Sequence, residues 1–333
     1  MRIAIDAMGG DHAPAEIVRG AVEGLSYIGP GDELVLLGKE DIVRAHLGSD
    51  ASNKQIVIHH CPEVIEMDDS PVEALRQKKN SSIMIMAKLA SERAVDAVIS
   101  AGNTGACAAA CQLKMRTLAG LQRPGIAVVL PSFHGPLTVC DVGANVAPKP
   151  HHLLQYAQMA SAYAEAVLKI KGPRVGLLSI GSEEVKGSPL VKQTHELLKQ
   201  DPSVNFIGNI EGRELFNGAC EVAVCDGFVG NVVLKLVEGL SHGIFETIQH
   251  EIAQESAELA ERFKPVVKTI WARHDYSEYG GAPLLGVDGV CIICHGSSDR
   301  RAIKNAVRVS VDYVKSGVNE MILSRLTEEV ANA

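Results

Sequence analysis

A chain of 333 residues that is 46% hydrophobic and 22% charged can bury a sizeable core, and with only 4% aromatic residues that core must be filled by Val, Ile, Leu and Ala. The formal net charge of −8 argues against a protein built to neutralise nucleic-acid phosphates, which needs a basic face. Met1 leads straight into the strand pattern Arg2-Ile-Ala-Ile-Asp6 with no basic and long apolar leader, and no apolar run approaches the roughly 18 residues of a membrane span, so the expectation is a cytosolic or at most membrane-peripheral protein.

In chain order, short apolar strands alternate with amphipathic helices. Ile3 to Ala7 precedes a helix after Pro14, Leu34 to Leu37 precedes Asp41 to Leu47, and Ile56 to His59 precedes helices through Ser91. Ala97 to Ser100 follows, with a helix from Thr104, and then strands near Ile126 to Leu130 and Leu137 to Val142. A helix from His151 to Ile170 carries Leu153, Tyr156, Ala157, Ala160, Tyr163, Ala164 and Val167 on one stripe, the spacing of a buried face. A second series runs through Arg174 to Leu178, Phe206 to Ile210, Val222 to Cys225 and Val290 to His295, with a helix from Asp299. This rhythm predicts an α/β fold over residues 1–333, a mainly parallel sheet with helices on both faces, with ligands at the carboxyl ends of the strands. Between the series, residues 232–275 read as a projecting helical excursion. Val233, Val237, Leu240, Ile244, Ile248 and Ile252 form a stripe suited to pairing with a second copy, and Pro265 is expected to break the helix.

Polar, glycine-rich motifs recur where the predicted strands end. Asp6-Ala-Met-Gly-Gly-Asp-His-Ala-Pro14 offers Gly9 and Gly10, which let backbone approach a ligand, beside the proton-exchanging side chains of Asp11 and His12. Ser100-Ala-Gly-Asn-Thr-Gly-Ala106 places Gly102, Asn103, Thr104 and Gly105 at a helix start, an anion cradle of backbone N–H groups. Asp141 to Pro150 adds Asn145 and Lys149, and Ile180 to Gly187 adds Lys186, loops expected on the same sheet edge as the cradle. Asp226-Gly-Phe-Val-Gly-Asn231 repeats the formula with Asn231 and Lys235. Tyr276-Ser-Glu-Tyr-Gly-Gly-Ala-Pro283 contributes Gly281, and His295-Gly-Ser-Ser298 a histidine and hydroxyls.

The sequence has no Walker A motif, no GxGxxG after the first strand and no GxSxG elbow. Phosphate-binding loops without nucleotide motifs or a serine nucleophile suggest that phosphate itself attacks. The eight cysteines read as free buried thiols; Cys291-Ile-Ile-Cys294 lacks the second pair a zinc site needs, so no metal is expected.

The opening Met1 to Pro14, with Ser100 to Ala106, Asp141 to Pro150, Leu177 to Gly187, Phe228 to Asn231 and Tyr276 to Gly286, resembles the bacterial phosphate acyltransferase family, PlsX, over nearly the whole chain. Ala147-Pro148 stands where that family often has Asp or Glu before Cys, and Ser179 and Ser182 where it has Asn and Glu. The resemblance implies transfer of a fatty acyl group from acyl carrier protein to inorganic phosphate for phospholipid synthesis. It also implies a homodimer, no cofactor, and a fold like isocitrate and isopropylmalate dehydrogenases and phosphotransacetylase. It further implies a helical tip touching the membrane, where acyl phosphate passes to the glycerol-phosphate acyltransferase PlsY. The expected catalytic residues are Asp11, His12, Lys186 and Asn231; those expected to hold substrate are Gly9, Gly10, Gly102, Asn103, Thr104, Gly105, Asn145, Lys149, Gly281 and His295. Three other readings are a phosphotransacetylase acting on acyl-CoA, an NAD- and metal-dependent dehydrogenase, and a non-enzymatic dimeric carrier-protein adaptor.

Overall fold

The computed structural model describes residues 1–274 and 279–332, with backbone alone for 271–274 and 327–332. Tyr276 therefore lies outside the described residues. The first half alternates β1 (Arg2–Asp6), α1 (Ala15–Gly24), β2 (Glu33–Gly38), α2 (Glu40–Leu47), β3 (Ile56–His60), α3 (Pro71–Gln77), α4 (Ser82–Ser91), β4 (Ala97–Ser100) and α5 (Thr104–Met115). A hairpin of β5 (Gly125–Ser132) and β6 (Gly135–Cys140) leads to α6 (Pro150–Ala166). The second half runs β7 (Arg174–Ser179), α7 (Pro189–Gln200), β8 (Asn205–Glu211), β9 (Val222–Val224), α8 (Gly227–Glu255) and α9 (Ala257–His274). The chain then returns through β10 (Ala282–Leu285), β11 (Val290–Ile293), α10 (Arg300–Ser316) and α11 (Val318–Asn332).

The described strands form one sheet in the order β3-β2-β1-β4-β11-β10-β5-β6-β9-β7-β8. Successive residues of a strand point to opposite faces. Ile3 and Ile5 therefore join one core with α1, α6 and α10, and Ala4 joins the other with α4 and α5. Helices thus cover both faces, as the alternation of apolar strands and amphipathic helices predicts, and every fully buried Ile or Leu contributes about 1.5–3 kcal/mol. Within α6, Leu153, Tyr156, Ala157, Ala160 and Tyr163 are almost wholly buried, at the centre of the first of these cores.

Three pairings, β11 with β10, β10 with β5 and β5 with β6, are antiparallel, and the others are parallel. The strand β10 was not foreseen: it is only four residues long, carries Pro283 and follows a glycine pair, all features of a loop. Antiparallel to both β11 and β5, it leaves β5 running with β11, and the β5–β6 hairpin reverses the second half. The strands β6, β9, β7 and β8 run opposite to β1, β4 and β11, so the loops holding Lys149 and Lys186 do not share a sheet edge with the start of α5. This corrects the single edge expected from the sequence.

The excursion is a pair of helices, α8 and α9. The break falls at Ser256, which is extended (φ −166°, ψ 135°), and Pro265 lies inside α9, contrary to the break expected there. On α8, Val232, Leu236, Leu240, Ile244 and Ile248 form a stripe at four-residue spacing and are 40–64% exposed. An 18-residue window of α8 reaches a mean hydropathy of 1.2, so by length and composition this helix is also apolar enough to cross a membrane.

Candidate active site

Two glycine turns pack face to face at the ends of β1 and β4. A Cβ on Gly9 would lie 2.4 Å from Asp6 Oδ2 and 2.7 Å from the Gly102 nitrogen, so only glycine permits this approach. Gly10 has φ +112° and sits against the carbonyls of Ala101 and Gly296. The Asp11 N–H donates to the Gly296 carbonyl at 2.8 Å, which ties the loop after β1 to the loop after β11. Asp6 is buried beneath, accepting from Ser100 Oγ at 2.8 Å and from the Met8 N–H at 3.2 Å; burial pushes its carboxyl above the ordinary range.

On the other side, Asp141 organises the loop after β6. Its buried carboxylate accepts from the N–H groups of Ile126, Gly143, Ala144 and Asn145 and from Asn145 Nδ2, while burial pushes its carboxyl up. The helix α8 starts on this loop, where the Gly227 N–H donates to the Asn145 carbonyl at 2.9 Å. A Cβ on Gly230 would fall 1.9 Å from the Asp141 carbonyl oxygen. Starting from those strand ends, α8 crosses the centre of the sheet toward the end of β11, and the eight helical steps from Gly227 to Lys235 rise about 12 Å.

A cavity of about 490 Å³ lies between the two halves. One wall is the face Asn231, Leu234, Lys235 and Glu238 of α8, at i, i+3, i+4 and i+7. The opposite wall comprises Asp11, Thr104, Gly281 and residues 295–299, and Ile126, Val128, Val129, Val142 and Ile293 make its apolar floor. The starts of α5 and α10, with Thr104 and with Ser298, Asp299 and Ala302, open into it, so the positive ends of two helix dipoles border one space. Lys235 Nζ donates to His295 Nε2 at 2.5 Å and to Glu238 Oε2 at 2.8 Å. Nδ1 of the same ring lies 2.8 Å from Ser297 Oγ and 3.2 Å from the Ser297 backbone nitrogen. An ammonium has three hydrogens, so one remains for a ligand.

Of the residues singled out in the sequence, Asp11, Thr104, Asn231, Lys235, Gly281 and His295 line this cavity. Gly9, Gly10 and Gly102 form the turns behind it, and Gly105 packs on Pro71. The Asn103 amide is committed elsewhere: Nδ2 donates to the carbonyls of Glu66, Met67 and Asp69, and Oδ1 caps α5 through the Ala106 N–H. Asn145 is similarly occupied, with Nδ2 donating to the Pro124 carbonyl and Oδ1 accepting from Arg123. His12, Lys149 and Lys186 do not line the cavity. Lys149 caps α6, its N–H donating to His152 Nδ1, and Lys186 is exposed in the loop after β7. Glu238 and the apolar floor had not been anticipated; the signal for Glu238 was its spacing of seven from Asn231 on one helix.

A family model described as "Fatty acid synthesis protein" matches residues 1–321. The "Phosphate acyltransferase" of Desulfitobacterium hafniense is 48% identical over 329 residues, covering 98% of each chain. That of Desulforamulus reducens is 46% identical over 330 residues, covering 99% of this chain and 98% of its own. Among solved structures, a phosphotransacetylase from Streptococcus pyogenes has a TM-score of 0.63 at 16% identity, covering 95% of this chain and 94% of that one. The EutD phosphotransacetylase from Staphylococcus aureus has a TM-score of 0.61 at 13% identity, covering 94% of each. At such identities these two likenesses are of fold.

Proposed function

The chain belongs to the phosphate acyltransferase family and is an acyltransferase, and from that premise we propose that it transfers a long-chain acyl group from acyl carrier protein to inorganic phosphate, supplying acyl phosphate to phospholipid synthesis. The observation that carries this reading is the meeting, in one cavity, of helix N-termini and a lysine ammonium with an apolar floor. Such a site suits an anion held against a fatty thioester.

In the proposed reaction, hydrogen phosphate is held by the first-turn N–H groups of α5, by Thr104 and by Lys235. One phosphate oxygen attacks the thioester carbonyl, the carbon–sulfur bond breaks, and the proton of hydrogen phosphate goes to the departing thiolate. Acyl phosphate and free thiol result, and no protein nucleophile is needed. The Asn231 amide is the donor proposed for the carbonyl oxygen as it gains charge, with His295 and Asp11 within the same space to pass the proton. Holding phosphate in line with the carbonyl supplies roughly 7–11 kcal/mol. The exposed stripe of α8 supports a homodimer. Delivery of the product to PlsY from the cytoplasmic face of the membrane completes the reading.

The test supplies purified protein with phosphate and palmitoyl carrier protein, palmitoyl-CoA or acetyl-CoA, and traps acyl phosphate with hydroxylamine. Product from the carrier-protein donor supports the proposal. Product from acetyl-CoA alone would make the enzyme a phosphotransacetylase.

A further inference from the structure

Directly behind the anion-binding start of α5, three thiols from two elements converge. Cys107 and Cys111 lie four apart on one face of α5, and Cys291 lies on β11, the strand that ends at His295. The Cys111 and Cys291 sulfurs are 3.5 Å apart, those of Cys107 and Cys291 are 4.0 Å apart, and all three lie within 4.8 Å of one another. All three residues are at most 1% exposed.

We propose that Cys107, Cys111 and Cys291 form a binding site for one thiophilic metal ion of the zinc, cadmium or copper(I) class. A zinc–sulfur bond of about 2.3 Å in tetrahedral geometry places neighbouring sulfurs about 3.8 Å apart, so these thiols stand at ligand separation with little rearrangement. Three sulfur donors and no hard oxygen ligand select a soft ion. Ser100, on β4 beside β11, has its hydroxyl committed to Asp6 and offers no hard oxygen to the ion. The ion would clamp α5 to β11 and thereby fix Thr104 relative to His295. It has no part in the acyl transfer.

Two readouts test the site besides activity. Metal content is measured on protein expressed with added zinc, and cadmium is titrated into metal-free protein during refolding while its thiolate charge-transfer band and released protons are followed. The expected result is one ion per chain, with a proton released for each ligating thiol. Binding should be lost in Cys111→Ser and in Cys291→Ala, and kept in Cys294→Ala, a buried neighbour on the same strand and outside the cluster. Wild-type protein that carries no metal and gives no cadmium band, or variants that bind as well as wild type, would overturn the proposal.

Discussion

Replacing Lys235 by Ala removes the one ammonium lining the cavity among the described residues, the group that bridges His295 and Glu238 at 2.5 and 2.8 Å. A hydrogen bond to a charged group is worth about 1.5–3 kcal/mol. The Lys235 side chain is 48% exposed, so solvent screening puts the effect at the lower end, about 1.5–2 kcal/mol. At 1.4 kcal/mol per decade, the KM for phosphate should rise roughly 10- to 30-fold. The acyl-donor KM should change much less, because the apolar floor is intact. The assay is hydroxylamine-trapped acyl phosphate formation with phosphate varied at saturating donor, on protein whose denaturant unfolding matches wild type. A folded variant with an unchanged phosphate KM would refute the placement of phosphate beside α8.

Further outcomes follow from the same geometry. Asn231→Ala should lower kcat by about 100- to 1000-fold with little change in phosphate KM if its amide meets the developing oxyanion, a split read from full saturation kinetics. Gly230→Ala should lower the unfolding free energy by at least about 3 kcal/mol, because its Cβ would meet the Asp141 carbonyl oxygen at 1.9 Å. Gly239→Ala on the same helix meets nothing within 4 Å and should stabilise by about 0.5–1 kcal/mol, both changes being read by urea titration. His152 is buried and uncharged, its value pushed down to about 4 chiefly by that burial. The unfolded chain therefore takes up a proton near pH 6.5 that the native chain refuses, so stability is complete above that pH and is lost on descent toward pH 4. The loss is on the order of 3 kcal/mol, and His152→Gln should flatten that arm of the stability profile. Leu240→Glu, in the exposed stripe of α8, should dissociate the proposed homodimer in analytical ultracentrifugation.

The elements legible from sequence are those with local causes. Strands such as Arg2–Asp6 and Ala97–Ser100 and the buried stripe of α6 announce themselves through apolar periodicity, and the glycine turns at Gly9 and Gly102 through residues that only a close approach requires. The order of the strands is set by pairings between distant segments. The four-residue β10, with its proline, carries too little pattern to show itself, and the turn between β5 and β6 that reverses half the sheet is fixed by their antiparallel pairing. That reversal is why Lys149 and Lys186 fall outside the cavity while Lys235 lies within it. Asn103 shows the limit for single side chains: its position in a glycine-rich turn suggested an anion contact, and the carbonyls of Glu66, Met67 and Asp69, which occupy its amide, lie more than thirty residues away. A much longer separation, 184 and 180 residues, hid the approach of Cys291 to Cys107 and Cys111.

Acyl exchange tests most directly whether phosphate is the attacking group. Labelled acyl carrier protein thiol is mixed with acyl carrier protein thioester and enzyme, first without phosphate and then with it, and the label entering the thioester is followed. Direct attack predicts no exchange in the absence of phosphate and acyl phosphate formation once phosphate is added. Exchange without phosphate, accompanied by an acyl group that stays on the protein after denaturation, would contradict it.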